Sequence, residues 1–341
     1  MTFRRMPIKL TDISSAAWEH AADRAALNSL RALPGFDEVV RKVAGFFGEK
    51  GVRQLFLANA VRIGPDQRPQ LYALYKEVLD TMDWPVEPQL YVSQTPLVNA
   101  AAVGFDKPFI VLNSGMLSLL DREEQRNILG HELGHIMSGH TTYTTIAIII
   151  LTIGLNNLPF LAGIALLPFQ LALLEWYRKA ELSSDRAGLL ANQDPQKAMS
   201  TFLKLAGGGA GDDTISVDAF IQQAGEYETS GDLADRVWQV INTAFRTHPF
   251  GTVRAAELKR WIDSGEYQKI LNGDYRRRSD AAQPPLAEDI TDAAVYYREQ
   301  AKGAFDALAG VVGRARDAFS SAFKSGGDQP PPGNGADKPA A

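Results

Sequence analysis

Five consecutive residues, His131-Glu132-Leu133-Gly134-His135, set two imidazoles four positions apart with a carboxylate between them. On an α-helix that spacing stacks both imidazoles on one face, offset by about 40°. Two histidines so placed can hold one zinc ion, and Glu132 can take a proton from a water that the metal polarises. The chain has five histidines and three of them fall between residues 131 and 140, so its histidine chemistry is concentrated there. The bland alternative is a polar helix face carrying two surface histidines.

A helix has to present these groups. Asp121 followed by Glu124 reads as a capping box, which starts a helix near 121 and carries it to about 139. With His131 at zero and 100° per residue, His135 lies at about 40° and Glu132 at about 100°. Leu129, Ile136, Leu133 and Met137 spread over about 140° to 240°, opposite the histidines, and Ile128 at about 60° is the exception. A helix buried by one face with histidines on the other suits a metal helix lining a cleft. Gly134 lowers helix stability by up to about 1 kcal/mol against alanine, and it allows another backbone or the substrate to come close.

A catalytic zinc takes three protein ligands and one open position. His140 is nearest in sequence, but the metzincin pattern needs glycine and histidine three and six residues after the second histidine. Ser138 and Thr141 stand there. If the helix continues, His140 points about 140° away from His135 and reads as a helix C-terminal histidine near a glycine cap. Glu181 is the better third ligand, with Asp185 sharing its helix face and able to orient a ligand histidine through its free ring nitrogen. Glu175, six residues earlier on the far side of the same helix, is the rival. The alternative for Glu181 and Asp185 is a solvated charged face.

With Glu181-x-x-x-Asp185 added to the histidine motif, the chain resembles the HtpX and CAAX-prenyl-protease type of zinc metallopeptidases, which are thermolysin-like gluzincins. The resemblance covers roughly residues 50 to 262. It takes in Leu90-Tyr91-Val92, Asn99-Ala100, Phe109-Ile110-Val111-Leu112 leading to Ser114-Gly115, and Thr247-His248-Pro249 with Arg254. It implies an α+β, mostly helical fold. A small β-sheet lies beside the metal helix, and an apolar helical hairpin is inserted before the helix of the third ligand. It also implies one zinc ion per chain on His131, His135 and Glu181, with Glu132 as general base and Asp185 behind the ligands. His248 would stabilise the tetrahedral intermediate, and Asn99, Ala100 and Arg254 would meet the substrate. Ala101 stands where members often carry an aromatic, which bears on a substrate subsite and not on the metal chemistry.

From the residues alone, Asp106-Lys107-Pro108 is a turn and Phe109 to Leu112 a buried strand. The resulting hairpin offers an edge to which a peptide could add as a strand. Residues 17–32, 36–50 and 68–83 read as amphipathic helices, with breaks at Pro34-Gly35, Gly51 and Gly64-Pro65. The stretch Thr141 to Leu174 has no Asp, Glu, Lys or Arg. Each apolar half is shorter than the ~20 residues of a spanning helix. A broken span, a membrane-dipping hairpin and a buried lid over the cleft are the alternatives. Phe305, Leu308, Val312, Ala315, Phe319 and Phe323 repeat at helical spacing, for packing on the domain or a partner, or for lying on a membrane surface.

The organisation expected is a metallopeptidase domain over 1–275, a linker over 276–286, an amphipathic helical segment over 287–325 and a disordered tail over 326–341. A net charge of −5 gives no electrostatic case for nucleic acid. With no cysteine, disulfides and thiolate metal sites are excluded. No apolar run follows Arg4, Arg5 and Lys9, so no signal peptide is read, and the expected place is the cytoplasm, with contact to the cell membrane. The expectation is a zinc metalloendopeptidase acting on protein or peptide substrates, with a role in protein quality control at the membrane. The rival is a membrane-associated binding or chaperone-like protein with a structural zinc, which would not need Glu132.

Overall fold

The computed structural model describes residues 6–58, 60–157, 160–207, 216–229 and 251–280. Helices α1 (Ala21–Arg31) and α2 (Phe36–Leu57) lead to strand β1 (Ala60–Arg62), and α3 (Pro69–Thr81) to β2 (Gln89–Ser93). The hairpin β3 (Ala100–Val103) and β4 (Phe109–Asn113) follows, then a short α4 (Ser114–Leu119) and α5 (Arg122–Met137). Beyond these come α6 (Thr141–Asn157), α7 (Phe160–Asn192), α8 (Pro195–Leu205), α9 (Val217–Thr229), α10 (Gly251–Asp263) and α11 (Glu266–Leu271). The fold is α+β and mostly helical. His248, the 305–323 repeat and the 326–341 tail lie outside the described residues.

The sheet has the order β1-β2-β4-β3, antiparallel at both outer pairs and parallel at β2-β4. The hairpin turn is tight. Gly104 has φ 127°, and a Cβ there would stand 2.8 Å from Cα of Pro108. Its N–H donates to Oγ1 of Thr145 at 2.9 Å, which ties the turn to α6. β3 is left as an edge.

α5 starts as its sequence demands. The Asp121 carboxylate accepts from the N–H groups of Glu123 and Glu124, and the Glu124 carboxylate accepts from the Asp121 N–H at 2.8 Å. The burial of α5 departs from the expected one-sided pattern. Residues 126 to 135 are all buried, so the helix runs through the interior. Ile128, Leu129 and Leu133 join a core with Leu90 and Ile110 of the sheet, Leu74 and Val78 of α3, and Leu190, Phe202 and Trp261. The remaining surface of α5 is closed by α7, as described below.

Other boundaries also shift. α2 does not stop before Gly51 but continues to Leu57, with its kink at Gly48 (φ 57°, ψ 175°). The second arm of the apolar hairpin and the helix of the third-ligand candidate are one continuous helix, α7. On α6, Ile146, Ala147 and Ile150 are buried against Phe36 and Trp176, and Ile149 against Val52 and Val103. Those side chains are covered by protein. Among the described residues no helix is long and apolar enough to cross a membrane, so the spanning alternative for 141–174 gains no support. The linker expected from 276 does not begin there either. Ile13 pairs with Arg277, the Ser14 N–H donates to the Arg276 carbonyl at 3.0 Å, and Arg278 holds Asp12 and Asp83.

Candidate metal centre and active site

The centre exists because two helices touch without side chains between them. A Cβ added to Gly130 would stand 2.3 Å from Cβ of Ala191, and one on Gly134 would stand 2.5 Å from Cβ of Ala187. One on Gly188 would stand 2.8 Å from the Asn127 carbonyl oxygen. On the helical wheel Asn127, Gly130 and Gly134 form a stripe next to His131, at about 260° to 320°. That stripe seats α7 against α5 and brings Glu181 up to the two histidines.

One nitrogen from each of His131 and His135 and one carboxylate oxygen of Glu181 lie within 4.8 Å of one another, all buried. The two Nε2 atoms are 3.2 Å apart. His135 Nε2 is 3.2 Å from Glu181 Oε1, and His131 Nε2 is 3.6 Å from Glu181 Oε2. Glu175 is not part of this group; its side chain is 43 % exposed and pairs with Arg178 and Lys179.

The tautomers fit a metal. Nδ1 of His131 lies 3.0 Å from Asp185 Oδ1. An ionised carboxylate only accepts, so the hydrogen sits on Nδ1 and Nε2 faces Glu181. Burial works against charge on His131, but Glu181 and the Asp185 hydrogen bond outweigh it and push its pKa up to about 10. His135 is held down to about 4, by burial and, against the pull of the nearby Glu181 carboxylate, by the charge of His131. In the metal-free site the positive charge therefore sits on His131, in front of Glu181, where a cation would stand. Two imidazoles and one carboxylate suit zinc and other d-block ions better than magnesium or calcium, which prefer all-oxygen sites.

Behind the cluster stands Arg254, expected at the substrate and found elsewhere. It is 8 % exposed, its Nε donates to Asp185 Oδ2 at 2.8 Å, and Nη2 takes Asp185 Oδ1. Its Nη1 lies 3.3 Å from Glu181 Oε2. Despite burial, this guanidinium and the hydrogen bonds it makes hold the Asp185 pKa below the ordinary range. Asp185 thus links Arg254 to His131.

Three further residues enter the site: His140, set aside above as a ligand, and Asp23 and Tyr177, which the sequence did not single out. α5 ends in a left-handed glycine, Gly139 (φ 69°), so the helix does not continue and His140 turns back. Its Nδ1 lies 3.2 Å from His135 Nδ1, and its Nε2 lies 3.0 Å from Oδ2 of Asp23 on α1. The glycine cap read at Gly139 does end the helix before His140, but nothing in the sequence shows that it turns the His140 ring onto His135. No signal marks Asp23, more than a hundred residues upstream of His135. The Tyr177 ring stacks on His135 at 6.3 Å between centroids.

Glu132 faces the sheet edge. The Ala102 N–H lies on its side of the strand and favours the charged carboxylate. Burial, opposed by the charge of His131 and helped by that of Glu181, raises Glu132 to about 7. The Asn113 N–H donates to the Asn99 carbonyl at 3.0 Å, and Ala100 stands opposite Leu112. By antiparallel alternation, the backbone groups of Ala100 and Ala102 then point away from β4, to the free edge. The Ala102 N–H thus lies on the side of Glu132. Asn99 is exposed, as are Leu97 and Val98 before it.

The model of peptidase family M48 matches residues 65–262. A plastoglobule-localized metallopeptidase 48 of the Arabidopsis thaliana chloroplast is 33% identical over 270 residues, 78% of this chain and 78% of that protein. Protease HtpX homologues also match. That of Moorella thermoacetica is 23% identical over 252 residues, 66% of this chain and 82% of the homologue. That of Pseudarthrobacter chlorophenolicus is 29% identical over 171 residues, 44% of this chain and 59% of the homologue. No solved structure matches the chain. With the match spanning both helices of the metal cluster, this chain belongs to peptidase family M48, a family of HtpX-like zinc metallopeptidases of gluzincin-type fold.

Proposed function

We propose that the protein is a zinc-dependent endopeptidase in which His131, His135 and Glu181 hold one zinc ion. One observation carries this reading: three buried ligand atoms converge beside a buried glutamate, which itself touches the only sheet edge next to α5 among the described residues. The zinc, when bound, supplies Lewis acidity to the attacking water and to the scissile carbonyl. Glu132, with a pKa near neutrality, accepts the proton of that water and passes it to the leaving amine. Ala100 offers a backbone N–H and carbonyl to an extended peptide laid along β3, and Asn99 borders that path. His248 is assigned the stabilisation of the oxyanion by the resemblance. Asp185 holds the hydrogen of His131 on Nδ1, and Arg254 holds Asp185.

The structural-zinc reading leaves Glu132 without a task. Zinc content and casein cleavage, measured for wild type beside Glu132→Gln, test the proposal. One zinc in each, with cleavage confined to wild type, is expected. Equal cleavage by both, or no zinc in either, would overturn it.

A further inference from the structure

We propose that His140 is a positioning residue for His135, and that Asp23 sets His140 in turn. The chain Asp23-His140-His135 would hold His135 with its hydrogen on Nδ1 and its lone pair on Nε2, the form a metal ligand needs. This rests on the zinc reading above.

The backbone builds the contact. The His140 N–H donates to the carbonyl of His135 at 2.9 Å, and the Gly139 N–H to that of Ile136 at 3.1 Å. This paired closure around a left-handed glycine is a Schellman turn. It folds His140 back over the last turn of α5, with its ring 5.4 Å from that of His135. His140 is 2 % exposed, so water does not serve its nitrogens freely.

The chemistry then follows from which groups can donate. Asp23 Oδ2 accepts from Ser183 Oγ at 2.6 Å, and Oδ1 accepts from Trp176 Nε1 at 3.1 Å. A buried carboxylate with several donors stays ionised and can only accept. It therefore fixes a hydrogen on His140 Nε2, 3.0 Å away. The remaining nitrogen of His140, Nδ1, faces His135 Nδ1 at 3.2 Å. A hydrogen bond between these two nitrogens needs one donor and one acceptor. When His140 Nδ1 accepts, His135 carries its hydrogen there and turns a bare Nε2 toward His131 and Glu181. If Asp23 no longer held the hydrogen at Nε2, His140 could donate from Nδ1. His135 would then carry its own hydrogen at Nε2, in the path of the metal.

The two ligand histidines are thus served by separate arms. Asp185 of α7 sets His131 directly, and Asp23 of α1 sets His135 through His140. Asp23 lies upstream of the segment matched by the family model, which begins at residue 65. The N-terminal helix of this chain would therefore complete its metal site, not merely cover it. Ser183, two residues from Glu181, also receives the His20 N–H at 2.9 Å and so couples α1 to the ligand helix.

The test is zinc affinity of the full chain, by competition with a chelating dye, with the thermal midpoint of the zinc-free protein measured in parallel. His140→Leu removes both bonds, and a loss of about 10–100-fold in affinity is expected. His140→Asn places an amide oxygen near the old Nδ1 and can still accept, so it should recover most of that loss. Asp23→Asn no longer dictates the tautomer and should weaken zinc by about tenfold. It should also shift the visible absorption of the cobalt-substituted protein. Because Asp23 acts through His140, Asp23→Asn should add nothing in the His140→Leu background, while Asp185→Asn should multiply with it. Should His140→Leu not fold, Asp23→Asn and His140→Asn decide alone. Zinc affinity within about twofold of wild type in folded Asp23→Asn, with an unchanged cobalt spectrum, would overturn the relay. So would multiplicative losses from Asp23 and His140. Wild type that binds no zinc in the same titration would instead bring down the zinc reading itself.

Discussion

Gly134 and Ala187 meet so closely that a methyl group on the glycine would lie 2.5 Å from the alanine Cβ, more than 1 Å inside ordinary carbon contact. This bare contact sits between the two histidines of α5 in sequence and six residues beyond Glu181 in α7. It sets the distance between the two halves of the metal cluster, which are 50 positions apart from His131 to Glu181. The glycine therefore serves the geometry of the site more than the helix that contains it.

Gly134→Ala should push the helices apart. Overpacking of this kind costs about 1–3 kcal/mol, and the displacement of Glu181 should cost zinc as well. Ala187→Gly in the same chain makes room for the methyl group and should restore much of both. Gly45→Ala, which meets nothing within 4 Å on α2, is the control and should be neutral or slightly stabilising. A Gly134→Ala protein with wild-type melting and full zinc would show that the close approach is dispensable.

How much of this could be read from the chain alone depends on the range of each interaction. The capping box at Asp121 and Glu124, the helix it starts, and the hairpin turn at Gly104 to Pro108 are local, and each was legible. Helix periodicity put Glu181 and Glu175 on different faces, and the Asp185 partner favoured Glu181, the carboxylate that lies beside the two histidines. The role of Gly134 was half legible: the missing side chain signalled a close approach, but not that α7 makes it. Arg254 was placed at the substrate by the resemblance alone, with no reading of its own from the residues around it. Only its depth and its two bonds to Asp185 reveal a structural partner. Asp23 was out of reach, since nothing local distinguishes it from any acidic residue in the first turn of a helix.

Zinc should bind at one equivalent, and His131→Ala, His135→Ala and Glu181→Ala should each abolish stoichiometric binding. Glu175→Ala should keep it, since that side chain points to solvent and to Arg178 and Lys179. Metal analysis of the four purified variants checks this. Loss in Glu175→Ala with retention in Glu181→Ala would mean that the wrong carboxylate has been chosen.

Glu132→Gln should keep the zinc and the fold while peptidase turnover falls by about 10²–10⁴-fold, the usual contribution of a general base. The amide is nearly isosteric and can still meet the Ala102 N–H through its oxygen. Near-normal turnover in the zinc-loaded variant would point to a different reaction class.

Arg254→Leu should act on the metal site and not on substrate affinity. Its removal leaves Asp185 and Glu181 with a buried excess of negative charge, and breaking a buried ion pair in this way costs about 3–5 kcal/mol. The expected result is a lower melting temperature and altered zinc retention, with an unchanged Michaelis constant in whatever fraction stays loaded. A rise in the Michaelis constant alone, at wild-type stability, would return Arg254 to the substrate.

His248→Ala should lower turnover while leaving zinc content and the Michaelis constant largely intact. Arg254, the charged donor beside the cluster, is engaged by Asp185 and Glu181. The resemblance gives the stabilisation of the oxyanion to His248. His248 precedes Arg254 by six residues, a length of chain that reaches at most about 20 Å. A donor that acts mainly in the transition state contributes about 10²–10³-fold to turnover and little to ground-state binding. Steady-state kinetics on a short fluorogenic peptide separate the two parameters, and metal analysis of the same preparation separates both from ligand loss. A change confined to the Michaelis constant would make His248 a binding residue. Loss of zinc in His248→Ala would instead make it a fourth protein ligand, closing the position that a catalytic zinc keeps open.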